Sequence, residues 1–208
     1  PRDLTPWKSQ RRHNRPQEPG KPAPAGAVAP AFRRAGADLV ALYGLHAVRA
    51  ALTAGRRKLL DVWATPPAAE KLKSELAAAG LSPRPVSNDD LTRRLGADAV
   101  HQGVMLEARP IAAIDLSEIE SRSGLVLVLD QITDPHNVGA ILRTAAAFAV
   151  DALVTTERHS PDLSGVLAKT ASGGLEYVPI ASVVNLARAL DELGDMGYLR
   201  AGLDSDGP

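Results

Sequence analysis

Between residues 124 and 203 short aliphatic runs alternate with helix-forming stretches, and this alternation constrains the fold more than any other feature of the chain. LVLVLD (125–130) is a continuous apolar run, the pattern of a strand buried on both faces. VGAILRTAAAFA (138–149) follows, with Val138, Ile141, Leu142, Ala145, Ala146 and Ala149 on one helical face. DALVTT reads as a strand, SGVLAKTA as a short helix, EYVPIA as a strand, SVVNLARALDELG as a helix closed by Gly194, and YLRAGL as a last strand. Such alternation predicts a parallel sheet with helices on its faces. Ligands of these sheets sit at the carboxyl ends of strands, which is where the turn QITDPHN falls.

A smaller α/β unit precedes it. LYGLHAVRAALTAG reads as a helix with Gly55 as its C-cap, KLLDVWAT as a strand, and Pro67 to Ala79 as a helix ending at Gly80. SNDDLTRRLG reads as a short helix capped by Ser87 or Asn88, and HQGVMLEA as a strand. The predicted organisation is a disordered basic tail over 1–38, an α/β domain over 39–109, a linker over 110–123 and a parallel-sheet domain over 124–208. The tail is rich in Pro, Gly, Ala and Arg with no apolar period, so it cannot offset its ordering entropy.

Charge divides along the same lines. Residues 1–38 hold 8 Lys/Arg against 3 Asp/Glu, residues 39–109 hold 10 against 7, and residues 110–208 hold 6 against 14. A basic front half suits a polyanion, although such imbalance also arises by drift. Aromatic residues make up only 3%, so the core must be built from Leu, Val and Ala. With no Cys, disulfides, thiolate metal sites and Cys nucleophiles are excluded. The five histidines show no paired spacing, and no metal site is expected. No stretch approaches the roughly 20 apolar residues of a membrane span, and the N-terminus lacks an apolar signal core. A cytoplasmic location and no membrane partner are expected.

Dinucleotide-loop, P-loop and nucleophile-elbow patterns do not occur. The candidate chemistry lies in DPHNVGAILR. Asn137 sits where an N-cap belongs. Gly139 lets another chain or a ligand approach closely. Arg143 lies five residues beyond Val138, about 140° around the helix and off its apolar face. Free amides at a helix mouth plus a guanidinium would hold an anion, with phosphate the natural guest. An ordinary capped helix with a surface Arg fits the same residues.

LDQITDPHNVGAILRTAAAFAVDALV resembles motif 1 of the SpoU family of RNA 2′-O-ribose methyltransferases, in the SPOUT superfamily. The family pattern D-x-x-x-D-P-x-N-x-G-x-x-x-R-[ST]-A is met by Asp130, Asp134, Pro135, Asn137, Gly139, Arg143, Thr144 and Ala145. KTASGGLEYVPI with the helix VVNLARAL is similar to the family's next segment. LYGLHAVRAAL and HQGVMLEA resemble the start and end of its N-terminal substrate-binding domain. The likeness runs from about Leu42 to Leu203, and the 23S ribosomal RNA guanosine methyltransferases are the subgroup it resembles most.

The resemblance implies a small N-terminal α/β RNA-binding domain joined to a parallel-sheet SPOUT domain. It also implies S-adenosylmethionine as cofactor and methyl transfer to a ribose 2′-hydroxyl, with 23S rRNA as the RNA partner and a homodimer when full length. It makes Arg143 and Asn137 catalytic, Arg143 helping to activate the hydroxyl through an RNA phosphate. Asn137 and Glu176 become substrate-binding residues. Motifs 2 and 3 of the family, which form its trefoil knot and most of its cofactor site, have no match in the 208 residues and would be expected after Pro208. The chain is therefore expected to lack the C-terminal knot, to leave the cofactor-binding residues unassigned, and to bind S-adenosylmethionine weakly or not at all. A non-catalytic RNA-binding protein or an inactive fragment is the alternative.

Overall fold

A computed structural model describes residue 32 and residues 38–120, 124–158 and 165–203. Most of the expected basic tail lies outside them. So does Pro208, beyond which the family's knot segments are expected. The first sheet has the order β1-β4-β2-β3, from Val40–Tyr43 (β1), Leu59–Ala64 (β2), Arg84–Pro85 (β3) and Val104–Ala108 (β4). Helices Leu45–Ala54 (α1), Pro66–Lys71 (α2), Lys73–Ala78 (α3) and Asn88–Leu95 (α4) complete this lobe.

Two expectations for it need correction, and one short strand is an addition to them. The stretch from Leu42 is not one helix. Leu42 and Tyr43 pair antiparallel with Leu106 and Met105, and α1 begins only after Gly44, at φ +87°. Strand pairing supplies what helix propensity alone cannot. The helix expected from Pro67 to Ala79 breaks at fully buried Leu72, whose amide bonds back three residues to the Ala69 carbonyl at 3.2 Å. The two-residue strand β3 was too short to show a period. Ser87 does cap α4, in a reciprocal capping box with Asp90.

The second sheet is parallel, in the order β5-β6-β7, from Val126–Leu129, Ala152–Thr156 and Ile180–Val183. Helices Pro135–Ala147 (α5) and Gly165–Thr170 (α6) pack toward the first lobe, and Leu186–Asp195 (α7) packs on the opposite face. The parallel α/β architecture is as the alternation predicted. The details differ. Among the described residues β5 pairs with β6 alone, and three of its four residues are half-buried. Glu176 ends a 3-10 turn, Gly174–Glu176, and β7 starts at Ile180. Asn185 caps α7, accepting from the Arg188 amide at 3.1 Å. That helix runs through Gly194, and Gly197, at φ +98°, follows it. YLRAGL is not a strand. No described strand pairs with it, and Leu199 and Leu203 lie fully exposed.

The expected linker segment carries the 3-10 turn Leu116–Glu118 and is packed. Ile114 donates its amide to the Ile180 carbonyl at 2.9 Å and makes a parallel bridge to Ala181. Leu116 and Ile119 are buried beside it. One aliphatic core runs through both lobes, joining Val48, Leu72 and Leu106 to Leu142, Leu153 and Leu167.

Two glycines make that union possible. A Cβ on Gly173 would lie 2.4 Å from the Ala50 Cβ on α1, and one on Gly174 would lie 2.6 Å from the Leu142 carbonyl on α5. The 3-10 turn is thus pressed between helices of the two lobes. Gly174→Ala is expected to cost about 1–3 kcal/mol through overpacking against backbone that cannot yield. A urea titration checks this, and an unchanged midpoint would remove the close contact from the account.

His101 supplies a pH dependence. Its ring is buried, its Nδ1 accepts from the Gly103 amide at 3.1 Å, and Nε2 lies 3.1 Å from Thr92 Oγ1. Burial pushes its pKa below the ordinary histidine value of 6.5. The unfolded chain therefore takes up a proton at a higher pH than the folded one, so the contribution is complete above the unfolded pKa and is lost as pH falls through the folded one. Urea midpoints should drop on acidification below about 6.5, and His101→Gln should flatten that drop.

Candidate active site

The turn after Leu129 leads into α5, so the start of α5 lies at the carboxyl end of the parallel sheet, where such sheets bind ligands. Asp134, not Asn137, is the N-cap: its carboxylate accepts from the His136 amide at 2.9 Å. Pro135 takes the first helical position, where its fixed φ is preorganised. Asn137 is moved into the first turn and is exposed.

This changes the expected anion site. Pro135 has no N–H, the His136 amide is held by Asp134, and the Val138 amide bonds the Asp134 carbonyl at 3.1 Å. Among the described residues only the Asn137 amide of these four positions is left without a partner. A phosphate at the helix mouth would also face the Asp134 carboxylate, so the mouth by itself is a poor anion cradle.

Arg143 lies eight residues beyond Pro135, about 12 Å along the axis, in the second half of the helix rather than at its mouth. Its side chain is exposed and makes no hydrogen bond or ion pair with the described residues. Six residues separate it from Asn137, a rotation of about 240°, so the two leave α5 on different faces. His136, exposed and seven residues before Arg143, falls within about 20° of its line. Metal-ligand spacing gives no reason to single out His136; its i, i+7 relation to Arg143 does. Gly139 behaves as expected: a Cβ there would meet the Thr170 Cβ at 2.6 Å, so α6 crosses α5 at this point.

Glu176 stands apart from this surface. Its carboxylate is closed in an ion pair between the lobes, with Arg57 Nη2 at 2.6 Å and Nε at 2.9 Å, and the two side chains are 0% and 1% exposed. Arg57 comes from the α1–β2 connection. Arg56 beside it reaches the Glu176 carbonyl at 3.4 Å, and the Thr53 and Tyr177 hydroxyls are 3.2 Å apart. Across the same junction Lys169 and the Leu45 amide both donate to Gln102 Oε1, at 3.3 and 3.0 Å. Gln102 is held at φ +53°. Both oxygens of Glu176 are thus committed to the chain itself.

Two clefts stand out. One, of about 560 Å³, lies at the amino ends of β6 and β7, lined by Arg56, Glu118, Asp151, Tyr177 and Pro179. The other, of about 510 Å³, lies in the first lobe among Thr65, Lys71, Asn88, His101 and Gln102. Neither opens at the carboxyl ends of β5–β7. The cofactor-binding residues stay unassigned among the described residues. Among the described residues no group of His, Cys, Asp or Glu could hold a metal ion, and no helix is long and apolar enough to cross a membrane.

Comparison with known proteins matches both lobes separately. Residues 41–112 match the family model for RNA 2′-O ribose methyltransferase substrate binding, and residues 124–208 match that of the SpoU rRNA methylase family. A 23S rRNA (guanosine-2′-O-)-methyltransferase of Pseudomonas putida is 36% identical over 169 residues, 77% of this chain and 68% of that protein. An uncharacterized tRNA/rRNA methyltransferase of Synechocystis is 34% identical over 189 residues, 86% of this chain and 49% of that protein. Among solved structures, the SpoU methyltransferase AviRb of Streptomyces viridochromogenes with AdoMet has a TM-score of 0.61 at 19% identity, covering 77% of this chain and 61% of that one. An AdoMet-bound rRNA methyltransferase of Sinorhizobium meliloti has a TM-score of 0.59 at 22% identity, covering 74% and 58%. At such identities these structures speak for the fold alone. The chain belongs to the SpoU rRNA methylase family. It spans about half to two thirds of the length of the curated relatives it matches.

Proposed function

We propose that the chain serves an RNA 2′-O-ribose methyltransferase, with a guanosine of 23S rRNA as the target. The observation that carries this reading is the order of the two family matches, substrate-binding then methylase, each covering one of the two sheets. The cofactor, S-adenosylmethionine, would supply an electrophilic methyl group. Once bound it would donate that methyl to the ribose O2′ and be left as the neutral thioether, with the hydroxyl proton passing to water. Arg143 cannot take that proton, because a guanidinium stays charged. Its exposed, unpartnered side chain instead suits an RNA phosphate next to the reacting ribose, acting by position and charge. Asn137, on another face of α5, would contact the substrate or an adjoining segment at the mouth of the helix. With both oxygens on Arg57, Glu176 acts through the lobe junction rather than on RNA. A cytoplasmic homodimer accords with this assignment.

Incubation with methyl-tritiated S-adenosylmethionine and 23S rRNA is expected to leave label on a ribose. It would be recovered in a dinucleotide that survives alkaline hydrolysis. Label on a base would overturn the assignment. The basic first 109 residues, with 18 Lys/Arg against 10 Asp/Glu, favour one other reading, RNA binding without transfer. Salt-sensitive retention of RNA with no label incorporated would select it.

A further inference from the structure

The face of the first sheet turned away from α1 carries an arrangement that the methyltransferase reading does not use. Trp63 on β2 packs there with Met105, Val86 and Leu91. The Phe32 ring lies on it at 5.2 Å between centroids, tilted by 48°. The Arg84 guanidinium stands 5.5 Å over the Trp63 ring, and that of Arg94 stands 5.9 Å over Phe32. Cation, indole, phenyl and cation thus form one stack, with spacings typical of aromatic and cation–π contacts.

Two observations set this stack apart from an ordinary core. The Trp63 side chain is 0% exposed, yet its indole N–H has no acceptor among the described residues. A buried donor without a partner is uncommon and calls for a reason. The Phe32 ring packs on the indole and itself carries no acceptor. Phe32 is also only half-buried and belongs to none of the described strands or helices, so its removal opens the slot to solvent without breaching the sheet.

We propose that this slot takes an unpaired nucleobase of single-stranded RNA, and that Phe32 is the chain's own occupant of it. A base has the flat π face that Phe32 presents. It also carries ring nitrogens and carbonyl oxygens that can accept from a buried N–H. Stacking on aromatic rings and guanidinium planes is how proteins hold splayed-out bases. Arg84, half-exposed and paired with Asp61 at 2.6 Å, and Arg94, 3.8 Å from the buried Glu107 carboxylate, flank the slot, and the phosphates on either side of a stacked base would have to share these guanidinium groups with their carboxylates. The inference rests on RNA being the substrate, and it adds a second contact surface in the first lobe, distant from α5 in sequence.

Binding of an unstructured ten-nucleotide RNA tests it, with a perfect RNA duplex as comparison. Trp63 fluorescence in a Trp7→Phe background provides a local signal. The expected result is that the oligonucleotide changes Trp63 emission, and that Phe32→Ala binds it several-fold more tightly while binding duplex unchanged. Arg94→Gln is expected to weaken the single-stranded complex only; it stands in if Phe32→Ala proves unfolded by circular dichroism. RNA bound with no Trp63 response, and no difference between Phe32→Ala or Arg94→Gln and the parent, would overturn the slot and leave the RNA reading intact. No binding of either RNA would overturn both.

Discussion

Glu176→Ala is expected to destabilise the protein by about 3–5 kcal/mol, the cost of leaving a buried charge without its partner. Arg57 and Glu176 are fully enclosed and joined by two hydrogen bonds of 2.6 and 2.9 Å, so water cannot replace the missing carboxylate. Arg57→Ala should cost a similar amount. Changing both at once, Arg57→Met with Glu176→Leu, should recover most of the loss, because apolar residues of like size often replace a buried pair at little cost. Urea unfolding of the two singles and the double completes the cycle. Losses that simply add would show that the two residues are not coupled, and the ion pair would lose its place as the joint between the lobes.

The second large effect concerns chemistry rather than stability. In the active enzyme Arg143→Ala should reduce methyl transfer by at least about a hundredfold, on the scale of losing one electrostatic contact made in the transition state. Its stability should stay within about 0.5 kcal/mol, as for other exposed side chains without partners. Arg143→Lys should recover little, since an ammonium lacks the planar fork that grips a phosphate at two points. Near-normal turnover of the Ala variant, measured at saturating RNA, would take Arg143 out of the reaction. His136→Ala, on the same line of the helix, offers a graded comparison.

The parallel sheet and α5 were legible, because LVLVLD, DALVTT and the apolar stripe of α5 carry periods that local sequence expresses. The errors share a physical cause. Leu42 and Tyr43 look helical until β4 pairs with them. The strand in EYVPIA begins only at Ile180, because Glu176 ends a 3-10 turn and its carboxylate is held by Arg57, 119 residues earlier. YLRAGL has a strand's composition but no described neighbour to pair with. In each case a partner distant in sequence decides the outcome. At the site, the Asp-Pro pair that starts α5 could have been preferred to Asn137 as the cap, since Pro marks the first helical position. The burial of Glu176 could not be read at all, because nothing near it in the chain announces an arginine.

The aliphatic core shared by the lobes has a thermodynamic consequence. If Val48 and Leu72 lose their packing when Leu142 and Leu167 do, neither lobe has a folded state to retain once the other has melted. Heat should then unfold residues 40–195 in one transition, with calorimetric and van't Hoff enthalpies that agree. Two resolved endotherms would mean that the lobes are only neighbours, and that the glycine pair at 173–174 marks a seam rather than a weld.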